Sequence, residues 1–292
     1  MKAVTLEAPA KVNLHLGIYP CVDAQGYHKA DSLMVALGVS DEVEVKVWDG
    51  GLRVRCEPVV GVPQHKNTAY KAAMALGRAM GREPQVDILV RKRVPSQAGL
   101  GGGSSDAAAV LRALCELWGV DVEDEVVTDA ARSVGADVPF FLDPVPTFLT
   151  GRGDVVAEKF LPLEESIPTV LVRPAGEGVS TPAAYGAFDE EHEGPRDATR
   201  LRAVLRSGSA RPEHIAGLLA NNLDSVACRL LPQVAMTKEW LLGQPEVLGA
   251  QVSGSGSCVF GLCACADDAV GVAARAKAQL GPDTWTCATS FR

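Results

Sequence analysis

The sequence predicts an α+β fold in two lobes, because strand patterns joined by short turns alternate with helix patterns. Apolar residues at every second position over 86–91 are typical of a strand, and apolar residues at helical spacing over 104–118 are typical of a helix. A chain of 292 residues is long enough for two hydrophobic cores. We expect an N-terminal domain over residues 1–160 and a C-terminal domain over residues 161–292.

The first half of the chain alternates strands and helices. The pattern over residues 4–8 predicts a first strand, which Pro9 should break. Strand patterns on either side of Asp49-Gly50-Gly51 predict a hairpin. Asn67 can cap a helix that ends at Gly81. Further elements are predicted as the strand 86–91, the helices 104–118 and 121–133, and the strands 147–149 and 169–172.

The sequence pattern changes after Pro174, where the second half of the chain begins. Thr181-Pro182 is typical of an N-cap followed by the first helical residue. Residues 188–212 are polar, so loops should interrupt short helices there. The remaining predicted elements are helices over 218–231, 234–242 and 267–280, paired strands over 248–253 and 258–263, and a last strand over 284–289.

Composition excludes several classes of function. The net charge of −8 gives no basic field for a nucleic acid or an anionic membrane. No apolar run is long enough to span a bilayer, and the first residues are too mixed for a signal peptide. The eight cysteines are scattered without the spacing of metal or redox sites. We therefore expect a cytoplasmic protein with neither nucleic acid nor membrane as a partner.

The segment from Pro95 to Asp106, PSQAGLGGGSSD, is the strongest functional signal. It follows a predicted strand and opens a predicted helix. Glycines allow the backbone N–H groups to turn inward and approach a ligand closely. The first N–H groups of a helix lack intrahelical partners and lie at the positive end of its dipole. The segment therefore predicts a loop that cradles the phosphates of a nucleoside triphosphate.

Other glycine motifs fit this segment less well. A P-loop requires a lysine after its last glycine, and none follows Gly103. The dinucleotide fingerprint fits Gly99 and Gly101 but meets Ser104 at its last position, so an NAD-dependent oxidoreductase is the weakest hypothesis. A flexible linker would not be flanked by a strand pattern and a helix pattern.

Two charged residues could act on a bound triphosphate. A lysine such as Lys11, directly after a predicted strand, is most often a solvated charge. Asp137 lies in the small, apolar segment Gly135–Phe141, where a partly buried carboxylate needs a cation or several N–H groups beside it. If the two side chains meet, the lysine would keep Asp137 ionised near a substrate hydroxyl.

These residues form the inventory of a small-molecule kinase. Phosphoryl transfer needs in-line positioning, a group that orients or deprotonates the attacking hydroxyl, and cations that spread the developing charge. The phosphate loop, Lys11, Asp137 and a magnesium ion brought by ATP would supply all three.

Two further turns could bind the rest of a substrate. Gly26-Tyr27-His28 offers an aromatic ring for stacking and an imidazole for hydrogen bonds to a base, although Tyr27 could equally pack on the surface with His28 in water. Gly254-Ser255-Gly256 could place backbone N–H groups beside an anion. A tight hairpin turn is the simpler interpretation of that second segment.

Together these motifs resemble the GHMP kinase superfamily over most of the chain. Pro9–Leu14 is similar to the first family motif, Pro95–Ser105 to the second and Val252–Val259 to the third. Gly26-Tyr27-His28 and Gly135–Pro139 are similar to the signatures of one branch, which phosphorylates a cytidine-diphosphate-linked substrate. The resemblance implies a two-lobed α+β kinase fold with the active site in the cleft between the lobes.

The resemblance also implies the reaction and the roles of residues. It implies ATP-dependent phosphorylation of a hydroxyl of 4-diphosphocytidyl-2-C-methyl-D-erythritol in the non-mevalonate isoprenoid pathway, with Mg²⁺. Asp137 would be the base, beside the substrate, and Lys11 its charge partner. On the substrate, Asn13 would contact the sugar-like part, Tyr27 and Tyr185 the two faces of cytosine, and His28 its edge. Other substrate contacts would come from Thr181, Gly254 and Ser255. ATP would be bound by Lys92 near adenine and by the loop residues Pro95, Ala98, Gly99, Leu100, Gly101, Gly102, Gly103, Ser104 and Ser105.

The chain departs from the family pattern at several positions. Gln97 and Ala98 stand where the loop usually has glycine; because glutamine disfavours a positive φ, we expect a reshaped loop entry. Gln25 stands where an aspartate is usual, so the hydrogen bonds of that turn should differ. No glutamate matches the magnesium ligand of mevalonate-type relatives, so no protein ligand is assigned to the metal, and Ser105 is the best candidate for one. A homoserine or mevalonate-type kinase and a non-catalytic nucleotide-binding regulator remain alternatives.

Overall fold

The computed structural model describes residues 2–292, which form a mixed set of strands and helices. The strands are β1 Ala3–Val22, β2 His28–Val47, β3 Arg53–Glu57, β4 Val86–Arg91, β5 Thr147–Thr150, β6 Val155–Lys159, β7 Pro168–Arg173, β8 Ala220–Asn221, β9 Val247–Val252, β10 Val259–Cys263 and β11 Trp285–Ser290. The helices are α1 Thr68–Ala79, α2 Gly102–Trp118, α3 Glu125–Val134, α4 Thr181–Glu190, α5 Thr199–Arg206, α6 Pro212–Ala216, α7 Asp224–Leu230, α8 Pro232–Leu242 and α9 Ala266–Gln279. None of these helices is both long enough and apolar enough to cross a membrane.

The chain forms two compact units that interleave along the sequence. The first contains the described residues to Ala10, Ser40–Val94 and Gly101–Pro144. The second contains Lys11–Val39, Pro95–Leu100 and Val145–Arg292. The expected domains, in contrast, are successive segments, and their boundary near residue 160 stays a prediction.

The first unit contains three helices and a sheet segment that includes β3, β4 and the last part of β2. In the sheet, β4 pairs antiparallel with β2, with Val45 opposite Ile88, and parallel with β3, with Val54 opposite Ile88. Asn67 caps α1 by accepting a hydrogen bond from the N–H of Ala69, as predicted. Helix α1 packs against α2 and α3 through small buried residues.

The second unit contains an antiparallel sheet of four strands in the order β11-β7-β10-β9. Helix α9 packs on β7 and β11, and α8 packs on β9. The core between them is built from branched aliphatic residues such as Val170, Val172, Val259 and Val272, all fully buried. In the same unit β5 pairs with β2 and β6, and β8 pairs parallel with β1. The predicted pairing of the strands near 248–253 and 258–263 is confirmed.

The predicted end of the first strand at Pro9 is wrong. Strand β1 continues through Pro9 to Val22, so that Lys11 lies inside the strand. Proline removes one backbone donor but keeps a φ angle that a strand accepts. The consequence is that Lys11 is 3% exposed and is not a solvated charge at a strand end.

The predicted hairpin at Asp49-Gly50-Gly51 is also wrong, because β4 lies between β2 and β3. Alternation identifies a strand but not its partner, which can be distant in sequence. Two further predictions need correction. Ser180, not Thr181, caps α4 by accepting from the N–H of Ala183. The helix expected over 218–231 is shortened to α7, because Ala220 pairs with His15 of β1.

Candidate functional site

The phosphate loop enters α2 two residues earlier than predicted. Gly101 is the N-cap residue, with φ +70°, and no side chain among the described residues caps the helix there. The N–H of Ser105 donates to the carbonyl of Gly101 at 2.9 Å, so the N–H groups of Gly102, Gly103 and Ser104 precede the first intrahelical bond. A phosphate at this helix end would meet unpaired N–H groups and the positive end of the dipole.

Two glycines in this first turn lie close to neighbouring side chains. A Cβ on Gly102 would lie 3.1 Å from Cγ1 of Val94 and 3.4 Å from Nζ of Lys92. The Oγ1 of Thr68 donates to the carbonyl of Gly103 at 2.6 Å. The start of α2 is therefore fixed by strand-end residues on one side and by α1 on the other.

Lys92 lies between two carboxylates. Its Nζ donates to Oδ2 of Asp41 and, at 2.7 Å, to Oδ2 of Asp106. Burial raises the pKa of Asp106, and Lys92 opposes that rise while Asp41 adds to it. Burial alone would lower the pKa of Lys92, but the two carboxylates raise it overall. The family resemblance implies a position for Lys92 near adenine, and neither aspartate is among the site residues predicted from the sequence.

Asp137 follows α3 in the first unit. It is half-buried in a turn in which the N–H of Val138 donates to the carbonyl of Gly135 at 3.1 Å. A Cβ built on Gly135 would lie 4.0 Å from Oγ of Ser104. The turn that carries the predicted base therefore lies beside the first turn of α2.

The entry of the phosphate loop, in the second unit, corrects an expectation. Gln97 has φ +53°, in the left-handed region that glutamine was expected to avoid. Gly178 makes room for it, because a Cβ on Gly178 would lie 2.0 Å from the carbonyl oxygen of Gln97. Glutamine at this position therefore takes a backbone conformation that is typical of glycine.

The loop entry packs against the third sequence motif. The Oγ of Ser253 donates to the carbonyl of Gly99 at 2.9 Å, and the N–H of Cys258 donates to the carbonyl of Ala98 at 3.0 Å. Gly99 has φ +74°, and a Cβ there would lie 1.9 Å from the carbonyl oxygen of Ser253. Only glycine allows the two segments to approach this closely.

Lys11 joins the three motifs within the second unit. Its N–H donates to the carbonyl of Leu100 at 2.9 Å, and its Nζ donates to Oδ1 of Asn13 at 2.6 Å. A Cβ on Gly254 would lie 3.4 Å from the same Nζ and 3.3 Å from the carbonyl oxygen of Gly99. The structure therefore brings together residues that are about 240 positions apart in the sequence.

Two residues that the sequence analysis missed orient Asn13. The Nδ2 of Asn13 donates to Oγ of Ser32 at 2.8 Å, and Nε2 of Gln251 donates to the carbonyl of Asn13 at 3.0 Å. Both partners are buried. Ser32 and Gln251 lie in strands among apolar residues, and a polar residue at a core position was the signal that could have identified them.

The turn Gly254-Ser255-Gly256 connects β9 to β10, so the hairpin interpretation of this segment is correct. It is also part of the candidate site. The Nδ2 of Asn221 donates to the carbonyl of Gly254 at 2.8 Å. The hydroxyls of Ser255 and Thr181, two predicted substrate contacts, are 3.3 Å apart.

The predicted base-binding residues divide into two groups. His28 is buried, with Nδ1 2.8 Å from the carbonyl oxygen of Tyr19 and Nε2 3.0 Å from Oδ1 of Asp189. Its ring centroid lies 5.5 Å from that of Tyr185, so this pair is brought together. Tyr27 is exposed, and the guanidinium of Arg152 covers its ring at 4.2 Å.

Asp23 organises the turn that carries Tyr27. Its Oδ1 accepts hydrogen bonds from the N–H groups of Gln25 and Tyr27, and its Oδ2 accepts from Nε of Arg152 at 2.6 Å. Nη2 of Arg152 also donates to Oε1 of Gln25 at 2.9 Å. A carboxylate two positions earlier therefore supplies the turn's hydrogen bonds where Gln25 replaces the usual aspartate.

Comparison with known proteins adds independent information. The family model of the GHMP kinase N-terminal domain matches residues 67–143, and that of the C-terminal domain matches residues 184–281. A relative from Desulfitobacterium hafniense, named 4-diphosphocytidyl-2-C-methyl-D-erythritol kinase, is 39% identical over 272 residues, which cover 93% of this chain and 91% of the relative.

Solved structures agree with the sequence comparison. A crystal structure of 4-(cytidine 5'-diphospho)-2C-methyl-D-erythritol kinase is 32% identical, covers 99% of each chain and has a TM-score of 0.77. A homoserine kinase from Cytophaga hutchinsonii is 19% identical with a TM-score of 0.69, covering 99% of this chain and 95% of that one. The second likeness concerns the fold alone.

The α+β fold and the phosphate loop define the class of the protein: it is an ATP-dependent kinase that acts on a small molecule. The chain belongs to the GHMP kinase family, as the family models and the relatives show. This confirms the resemblance seen in the sequence and the predicted fold class. The roles of individual residues, and the position of the active site between two lobes, stay predictions.

Proposed function

We propose that this enzyme transfers the γ-phosphoryl group of ATP to a hydroxyl of 4-diphosphocytidyl-2-C-methyl-D-erythritol, in the non-mevalonate route to isoprenoid precursors. The observation that carries the proposal is the position of Lys11. This buried lysine contacts the phosphate-loop residue Leu100 and Asn13, and lies beside Gly254. All three family motifs therefore contribute to its surroundings, and the relative and the structure described above carry the name of this kinase.

In the proposed reaction, Asp137 accepts the proton of the substrate hydroxyl as its oxygen attacks the γ-phosphorus. The bond between that phosphorus and the β–γ bridging oxygen breaks, and ADP leaves. Lys11 stabilises the negative charge that develops on the transferred group. The N–H groups of Gly102 and Gly103 hold the ATP phosphates, and Asn13 orients the methylerythritol part.

Recognition of the cytidine part is assigned to the second unit. Tyr185 and Tyr27 stack on the cytosine ring, and His28 binds its edge. Support comes from the ring of Tyr185, which lies beside His28, and from Tyr27, which is exposed and carries Arg152 over its ring. Thr181 and Ser255 contact the substrate through their neighbouring hydroxyls.

Magnesium enters the proposal with ATP. Within residues 2–292, no three His, Cys, Asp or Glu side chains lie close enough together to hold a metal ion. Oγ of Ser105 is buried and has no hydrogen-bond partner among these residues, so it fits one protein ligand alongside phosphate oxygens. The ion would neutralise charge on the β- and γ-phosphates.

The cytoplasm is the proposed location of the reaction. All eight cysteines are free thiols, which fits a reducing compartment. The net charge of −8 fits a small-molecule enzyme better than a partner of nucleic acids.

A coupled assay tests the substrate. Purified protein with ATP, magnesium and the cytidine-diphosphate-linked substrate should release ADP, whereas homoserine and mevalonate should not support turnover. In a parallel thermal-shift experiment, cytidine diphosphate should raise the melting temperature, because it binds the native form alone. Turnover of homoserine or mevalonate, with no stabilisation by cytidine diphosphate, would establish the alternative kinase.

A further inference from the structure

We propose that Asp41 is a positioning residue for the nucleotide. Together with Lys92 and Asp106 it forms an ion cluster that joins the segment before the phosphate loop to the helix turn after it. The proposal depends on ATP binding by this kinase and not on the identity of the phosphoryl acceptor. Nucleotide binding can therefore be measured without any acceptor.

Asp41 holds the segment that precedes the loop. The antiparallel register of β2 and β4 places Glu42 opposite Arg91, and so brings Asp41 to the position where β4 ends. Its Oδ1 accepts hydrogen bonds from the N–H groups of Arg93 and Val94. Asp41 is 1% exposed, so water does not compete for these bonds.

Lys92 and Asp106 complete the connection. Lys92 donates to Asp41 on one side and to Asp106, in the first turns of α2, on the other. Directly after the end of β4, Lys92 is bound to Asp41. In the first turns of α2, Asp106 is bound to the ammonium group of the same Lys92. Because the two ends are held together, the loop residues between them lose little further freedom when a nucleotide binds.

Burial of the cluster makes its geometry costly to change. The side chains of Lys92, Asp41 and Asp106 are 10%, 0% and 7% exposed. Removing one partner from a buried ion pair leaves an uncompensated charge, which is far more expensive than at the surface. A change at Asp41 should therefore move the loop segment, although Asp41 itself is assigned no contact with the nucleotide.

The competing interpretation is direct contact between Lys92 and adenine, as the family resemblance implies. The two interpretations differ in what happens when Asp41 is changed. A positioning cluster acts through the phosphate loop, so a change in it should weaken the binding of ATP and of inorganic tripolyphosphate equally. If Lys92 instead contacts adenine, only the binding of ATP should weaken, and it should weaken more in a Lys92 variant than in an Asp41 variant.

The test compares three variants by calorimetric titration. Asp41→Asn and Lys92→Met should each weaken the binding of ATP and of tripolyphosphate by the same factor, at least about tenfold, the expected loss for a hydrogen-bonded charge. The KM for the acceptor should change by less than about twofold. Asp87→Asn is the matched control, because Asp87 is a carboxylate within β4 itself and pairs with Arg53 and Arg55. It should lower the melting temperature and leave ATP affinity within about twofold.

Two results would overturn the proposal. One is wild-type affinity for both ligands in Asp41→Asn; the other is a loss in Lys92→Met that is confined to ATP. Hydrogen exchange on the unchanged enzyme gives a second measurement that does not depend on the folding of a variant. The N–H groups of Arg93 and Val94 should exchange slowly even without nucleotide, and fast exchange that slows only when ADP is added would also contradict the proposal.

Discussion

At the scale of single residues, the buried Lys11 depends on its hydrogen-bond partners. Lys11 is 3% exposed inside β1, where an ammonium group is stable only with hydrogen-bond acceptors close by. The Oδ1 of Asn13 is one such acceptor, and Asn13 is itself fixed by Ser32. Each residue of this hydrogen-bonded series holds the next in one orientation, which the catalytic role proposed for Lys11 would require.

The proposed base gives a prediction at the same scale. Asp137→Asn should lower kcat by about 100-fold or more, because the amide cannot accept the proton of the hydroxyl. The affinity for ATP should stay within about twofold, since the nucleotide loop is unchanged. Steady-state kinetics together with calorimetric ATP binding would check both numbers.

A matched control for this prediction is Asp129→Asn on α3. That carboxylate is exposed and pairs with Arg132 one turn away, so its loss should leave kcat unchanged. If Asp137→Asn kept most of its kcat, the base would have to be another group. If the protein's cellular function survived Asp137→Ala, the non-catalytic regulator would be favoured.

At the scale of elements, the phosphate loop and the third motif form one packed structure. Ser253 donates to Gly99, and Cys258 donates to Ala98, so the loop entry is hydrogen-bonded to both ends of the β9–β10 connection. The approach is possible because the glycine has no Cβ and takes a positive φ. The loop is therefore rigid at its entry, although its sequence is rich in glycine.

Alanine at Gly99 tests this packing. Gly99→Ala should destabilise the protein by about 3 kcal/mol, because a Cβ would lie 1.9 Å from a backbone oxygen that cannot move alone and the left-handed φ adds strain. Gly119→Ala is the matched control: Gly119 has a similar φ of +71° but open space around it. It should cost about 1 kcal/mol, the strain of the left-handed conformation.

Urea unfolding of both variants provides the measurement. If both substitutions lowered the free energy of unfolding equally, backbone strain, and not the contact with Ser253, would explain the glycine at position 99. A larger loss at Gly99, accompanied by weaker ATP binding, is the expected pattern.

Elements were predictable where the signal is local. The strand 86–91 is confirmed as Val86–Arg91, and the helix capped by Asn67 is confirmed as Thr68–Ala79. Errors arose where a distant partner decided the outcome. The β4 strand separates the two strands of the supposed hairpin, and β1 continues past Pro9 beside the strands it pairs with. Local propensity contains no information about such partners.

At the scale of the whole molecule, charge on the sheet of the first unit affects acid stability. Asp87 accepts hydrogen bonds from Arg53, the larger effect, and from Arg55, and these bonds lower its pKa from 3.8 to about 2. A carboxyl with a lowered pKa in the folded state stabilises the fold above its unfolded pKa. That contribution is lost as the pH falls from 3.8 towards 2.

The pH dependence of unfolding checks this sign. At about pH 6 the unchanged protein should be more stable than Asp87→Asn. The difference should shrink as the pH falls and should approach zero only below about pH 2, where both side chains are neutral. Urea titrations of the two proteins over this range measure the difference. A gap that stays constant down to the lowest pH would show that packing of Asp87, and not its charge, stabilises the sheet.

The sequence by itself determined the family, the α+β class and the three motifs, because these depend on residue types at short spacing. Glycines before a helix, and a lysine two residues after a proline, can be identified without coordinates. Only the tertiary structure decided that Lys11 is buried, that Gln97 takes a positive φ beside Gly178, and that Asp41 and Asp106 share Lys92. These facts depend on contacts between distant segments, and a contact exists only once the chain has packed.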